Sequence, residues 1–224
     1  MGREPSCEST RGVKCHEPSG WWVPNFFPSG PGSYIGRSQS IEYALGLVSI
    51  QRRTVIQAGG HVGVWPKKLA SMFDHVITFE PVPSNWECLV KNLEGLHVEH
   101  HCLAIGATKG DAHINHRLTS SGGHHIATHM NKPHISVDMV TLDEIASPYI
   151  GTVDAMFLDI EGYEIEALNG ATKILKSDHP LLVVENNRCS TKFGYKPNDL
   201  ESFLAKYGYS KIGAHGEDLV FHAS

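Results

Sequence analysis

Beyond residue 53 the apolar positions switch repeatedly between two periods. Short, nearly unbroken apolar runs occur at Val55–Ala58, Val76–Phe79, Asp154–Asp159 and "HPLLVVEN", and the more polar Val98–Leu103 is read as the third strand. Between them, apolar residues recur at helical spacing over Val64–Phe73, Ser84–Leu93, Ile165–Leu175 and Asn198–Tyr207. Runs that are apolar on both faces, alternating with amphipathic helices, predict a mostly parallel sheet with helices on both faces. Ser84, with Glu87 three residues on, has the pattern of a capping box after Pro83. The final stretch, "YSKIGAHGEDLVFHAS", reads as two short strands around a glycine turn, a C-terminal antiparallel hairpin.

Two segments break the rhythm. Residues 1–36 are rich in Gly, Pro and Ser and carry Trp21, Trp22, Phe26, Phe27 and Tyr34. Such composition disfavours long helices and central strands, so it predicts an irregular arm whose aromatics pack on the domain that follows. A helix is predicted over Ser40–Ile50, which makes 1–50 an arm and helix packing on the core and 51–224 the main domain. Residues 106–140 are polar and histidine-rich, predicting a short strand at Ala112–Asn115 and an insertion loop over about 117–134.

Composition narrows the function classes. A chain of 224 residues with 41% hydrophobic content can bury a sizeable core. Its 19 basic and 24 acidic residues give a net charge of −5, which offers no field for a polyanion, so no nucleic-acid partner is expected. No run approaches the roughly 18 apolar residues of a membrane span. The five cysteines are scattered and lack CxxC spacing, so neither a disulfide framework nor a zinc knuckle is expected, and a reducing, cytoplasmic setting follows.

In open α/β sheets ligands sit at the carboxyl ends of the strands, which selects Gln57–Gly63, Glu80, Asp159–Glu164 and Glu185–Asn187. The glycines of "TVIQAGGHVG" serve either tight packing or a ligand. Glu80, at the end of the second strand, can accept hydrogen bonds from both hydroxyls of an adenosine ribose. The dinucleotide pattern G-x-G-x-x-G is incomplete, because its first glycine falls on Ala58. "MFLDIEGYE" gathers Asp159, Glu161 and Glu164 at one strand end, where crowded carboxylates call for a cation, a proton or a donor.

The segments "VIQAGGHVGVW", "ITFEPVPSNWECLVKN", "LAIGATKGD", "VTLDEI", "FLDIEGYEIEALNGA" and "HPLLVVEN" resemble, in order and spacing, the FkbM family of S-adenosylmethionine-dependent methyltransferases. The likeness covers residues 53 to about 187, and "GWWVPN" resembles a segment preceding the core in some members. It implies a Rossmann-like class I methyltransferase fold with the hairpin at one sheet edge. Gln57, Ala58, Gly59, Gly60, Val62 and Gly63 would wrap the methionine part of S-adenosyl-L-methionine, and Glu80 with Pro81 would hold the ribose. Cys102 and Leu103 would flank the adenine, and Asp159, Ile160 and Glu161 would face the sulfonium and the acceptor. Where the family usually carries an acid, this chain has Gln57. If that position meets the methionine ammonium, Gln57→Asp should tighten cofactor binding.

Methyl transfer to a hydroxyl needs alignment in a dry pocket and a base for the departing proton. Asp159, Glu161 and Glu185 are the candidates, with His124 or His125 behind them. The expected activity is therefore O-methylation of a small-molecule or saccharide hydroxyl. A Mg²⁺ variant, with Asp159, Glu185 and Asn186 as ligands, is the less favoured reading. His113 and His116, three apart on an extended segment, point to opposite faces and read as surface residues. The rival classes are a non-catalytic binding or structural module that kept the fold and an NAD-dependent oxidoreductase.

Overall fold

The computed structural model of the chain describes residues 15–16, 20–24, 38–115, 124–127, 134–196 and 198–223. Two short strands near the N-terminus, β1 (Cys15–His16) and β2 (Val23–Pro24), pair antiparallel and precede helix α1 (Gln39–Leu47). The alternating core follows as β3 (Thr54–Ala58), α2 (Val64–Leu69), β4 (His75–Phe79), α3 (Pro83–Asn92) and β5 (Val98–His101). Next come β6 (Ala104–Ile105), β7 (Gly110–Asn115), β8 (His125–Ile126), β9 (His134–Val140) and the short helix α4 (Leu142–Ile145). The chain finishes with β10 (Val153–Leu158), α5 (Glu164–Asn169), α6 (Thr172–Ser177), β11 (Leu181–Glu185), α7 (Asp199–Ala205), β12 (Tyr209–His215) and β13 (Asp218–Ala223).

The seven-stranded sheet runs β12-β13-β11-β10-β3-β4-β5. Strands β11, β10, β3, β4 and β5 are parallel, and β13 inserts antiparallel between β11 and β12. The strand order reverses between β3 and β10, so a crevice opens beyond their carboxyl ends. All five residues of β3 are buried, as a central strand covered on both sides requires. With period two, Ile56 and Ala58 face one cluster, together with Leu168, Ile174 and Leu204 from α5, α6 and α7. Val55 faces the other, with Ile41, Ala44 and Leu45 from α1 and Leu69 from α2.

Four expectations are corrected. The stretch read as an insertion loop contributes β8 and the start of β9. These strands join β6 and β7 in a second sheet of order β6-β9-β7-β8. Parts of that stretch, 117–123 and 128–133, lie outside the described residues. The predicted helix Ile165–Leu175 is two helices, because a Cβ on Gly170 would stand 2.2 Å from the Gly106 carbonyl oxygen and the chain turns there. The capping box at Ser84 does not form: α3 starts at Pro83, whose fixed φ and missing N–H suit a first helical position. Cys102 is disulfide-bonded, whereas Cys189 is a free thiol. Among the described residues no helix is long and apolar enough to cross a membrane.

Candidate functional site

The turn from β3 into α2 is built by backbone groups before any side chain enters. Gly59 and Gly60 both donate their N–H groups to the Phe79 carbonyl, at 3.0 and 2.8 Å, and Gly63 N–H donates to Gly60 O at 2.8 Å. Gly59 has φ +89°, and a Cβ there would lie 1.8 Å from the Asp159 carbonyl oxygen, so only glycine lets β3 and β10 end this close together. Asp159 N–H in turn donates to Ala58 O at 3.1 Å.

Glu80 completes the turn from the next strand. Its Oε2 accepts the His61 N–H at 2.7 Å and its Oε1 accepts the Val82 N–H at 2.9 Å, with the Asn85 amide at 3.5 Å. Burial pushes this carboxyl up to about 7, opposed by the hydrogen bonds from Val82, His61 and Asn85. Three successive amides of the loop, from Gly59 to His61, are thus turned inward to Phe79 and Glu80.

The end of β10 carries the carboxyl cluster. Glu164 is 3% exposed, and its Oε1 accepts both the Ile160 and Gly162 N–H groups, at 3.0 and 3.1 Å. It holds the turn ahead of its own helix, and burial raises it to about 7. Glu161 sits at φ 59°, a left-handed conformation uncommon outside glycine, and Gly162 beside it packs against the Cys189 backbone. Glu161 Oε2 accepts from Cys189 Sγ at 3.6 Å, and Lys192 Nζ lies 3.3 Å from that sulfur. Glu185 is driven well above the ordinary carboxylate range, first by burial and then by the charges of Asp159, Glu161 and Glu164. The Asn187 amide donates to Glu185 Oε2 at 2.7 Å.

A cavity of about 370 Å³ opens between the glycine turn, the end of β10 and the small sheet. The expected residues Ala58, Gly59, Gly60, Glu80, Pro81 and Leu103 line it on one side, and Asp159, Ile160 and Glu161 on the other. His124 and His125 reach it from β8 and the residue before it. Val62, Gly63, Cys102, Glu185 and Asn186 lie off its lining, Glu185 standing behind Asp159.

Gln57 also lies off the wall. It is 1% exposed, accepts from Thr78 Oγ1 at 2.6 Å and donates from Nε2 to Ala58 O at 3.1 Å. Its side chain shares the face of Val55, where α1 and α2 pack, so the amide is consumed inside the sheet. The Mg²⁺ ligand set gains no geometric support: among the described residues no group of three or more His, Cys, Asp or Glu is arranged to hold a metal. His113 bonds Ser136 at 3.1 Å on the surface, and His116 lies outside the described residues.

Several lining residues had no role assigned from the sequence. His61, at φ 49°, lies inside the selected Gln57–Gly63 stretch, and Asn85 sits in the first turn of α3. Tyr163 next to Gly162 carried a positional signal. Ile114 and Ile126 carried none, because only the folding of β7 and β8 over the crevice brings them in.

The strand order, the inward-turned glycine loop and the carboxyl-lined crevice define a Rossmann-like methyltransferase fold. The chain belongs to the FkbM methyltransferase family: the family model for the methyltransferase FkbM domain matches residues 57–211. Among solved structures, the methyltransferase FkbM from Methylobacillus flagellatus KT superposes with a TM-score of 0.56 at 16% identity. That match covers 80% of this chain but 47% of the other, so this chain spans about half of that protein's length. The magnesium protoporphyrin IX methyltransferase of Synechocystis PCC 6803, solved with bound SAM, gives a TM-score of 0.49 at 12% identity over 86% of this chain and 81% of its own. An rRNA methylase from Streptococcus thermophilus gives 0.48 at 10% identity over 83% and 95%. Among curated proteins, none matches the sequence.

Proposed function

We propose that the chain is an S-adenosylmethionine-dependent methyltransferase that methylates a hydroxyl group on a small molecule or sugar. The observation carrying this reading is the opposition, across one cavity, of a buried Glu80 carboxyl and the Asp159–Glu161 carboxylates. S-adenosylmethionine, when bound, supplies an electrophilic methyl group on a cationic sulfur. The residues fit it. Glu80 is a partly desolvated acceptor suited to a vicinal diol, Phe79, Val82 and Leu103 offer an apolar wall to a purine, and the carboxylates offer a counter-charge to a sulfonium.

The remaining work belongs to this chain's own groups. The cavity wall excludes water and holds the acceptor in line. Asp159 or Glu161 takes the hydroxyl proton, and Glu185 behind them retains its own proton, which keeps repulsion within the cluster low. A dinucleotide is less well served, since the pyrophosphate needs free loop amides and those from Gly59 to His61 are already committed.

The test is incubation of the purified protein with S-adenosylmethionine and a panel of phenolic, aliphatic and sugar alcohols, followed by mass spectrometry. The expected outcome is S-adenosylhomocysteine together with an O-methyl ether. Methylation confined to amines would overturn the hydroxyl assignment.

A further inference from the structure

Asn92, the last residue of α3, is 6% exposed and spends its whole side-chain amide on two distant segments. Its Oδ1 accepts the Trp22 N–H at 2.8 Å, and its Nδ2 donates to Trp22 O and to Val62 O, each at 2.8 Å. Val62 belongs to the loop whose Gly59, Gly60 and His61 amides are fixed by Phe79 and Glu80 at the cavity. Around this staple Trp21 and Trp22 pack on Val62, Val64 and Cys88. The ammonium groups of Lys67 and Lys91 lie over the two indoles, at 5.0 and 4.5 Å.

Undocking the arm would leave the buried Asn92 amide without two of its three partners and strip apolar cover from the loop. We infer that Asn92 is a positioning residue coupling the docking of Trp21–Trp22 to the ligand-binding shape of the Gly59–Gly63 loop. This rests on the reading that the cavity takes S-adenosylmethionine. Coupling is reciprocal, so a ligand that needs the ordered loop must tighten the arm by the same factor with which the arm tightens the ligand. Trp22 is itself no part of the cavity wall and acts through Asn92, which its backbone N–H and carbonyl bond, and through the cluster of Val62 and Val64 on which it packs.

The experiment is calorimetric titration with S-adenosylhomocysteine of the full chain and of Trp22→Ala, Asn92→Ala and the double variant, with hydrogen exchange of the Trp22 amide. Each single variant should raise Kd about fivefold to thirtyfold, and the double variant should match Asn92→Ala within about twofold. Saturating ligand should slow exchange of the Trp22 amide in the wild type by a similar factor. Should Asn92→Ala fail to fold, Trp22→Ala and the exchange measurement still decide. Wild-type binding with an unchanged Kd for Trp22→Ala, or Trp22 exchange indifferent to ligand, overturns the coupling alone. No binding by a folded wild type overturns the cofactor reading and the coupling with it.

Discussion

Replacing Glu164 by glutamine separates two roles of a buried carboxyl, accepting hydrogen bonds and carrying charge. One oxygen, Oε1, takes both the Ile160 and Gly162 amides, so a glutamine carbonyl can take both and the turn keeps its partners. What the substitution removes is a charge that burial disfavours strongly enough to raise the group from 4.5 to about 7. That shift corresponds to about 3 kcal/mol of differential stability. Because the folded-state value lies above the unfolded one, the stabilisation from neutral Glu164 is complete below about 4.5 and is lost as pH rises through about 7. The variant should therefore match the wild type at pH 5 within about 1 kcal/mol and exceed it by up to about 3 kcal/mol at pH 9. For a chain of this size the gain corresponds to a melting-temperature rise of about 6 to 12 °C at pH 9. Urea denaturation and thermal melts across that range measure it. A variant less stable at pH 9, or a gap that does not close toward pH 5, would refute the reasoning.

Other substitutions probe the rest of the site. Glu80→Gln differs from Glu164→Gln because two oxygens serve two amides, so one amide of His61 or Val82 loses its acceptor. It should weaken S-adenosylhomocysteine binding by at least about tenfold, a loss of about 1.4 kcal/mol, and undiminished affinity in calorimetry would remove Glu80 from the site. Gly59→Ala places a Cβ 1.8 Å from the Asp159 carbonyl at φ +89° and should cost more than about 3 kcal/mol, read as loss of a cooperative thermal transition. Gln57→Asp buries a charge and gives up the Ala58 bond, so it should destabilise by about 1 to 3 kcal/mol in denaturant titrations without tightening the ligand. Tighter binding would return Gln57 to the cavity.

Strand ends are what periodicity locates, and in this fold the strand ends make the site. For that reason the glycine turn, Glu80 and the Asp159–Glu161 stretch stand out in the sequence, and Gly59, Gly60, Glu80 and Asp159–Glu161 line one cavity, while Val62 and Gly63 lie off it. Gln57 was misread through direction alone: in a strand its side chain must share the face of Val55, away from Ala58. The strand His134–Val140 does carry a signal, because its polar and apolar residues alternate strictly from His134 to Met139, but it continues directly from the polar, glycine-bearing stretch read as a loop. The break after α5 depends on the Gly106 carbonyl, which meets Gly170 only once the chain between positions 106 and 170 has folded. The bonded state of Cys102 likewise depends on tertiary proximity, which cysteine spacing does not encode.

The central claim is that the crevice between β3 and β10 binds S-adenosylmethionine. Its most direct test is calorimetric titration of the purified, folded chain with S-adenosylhomocysteine, with NAD as the control. Saturable binding of one ligand per chain, weakened at least about tenfold in Glu80→Gln and absent for NAD, is the predicted result. No heat from a protein whose circular dichroism shows it intact, or binding of NAD alone, would contradict it.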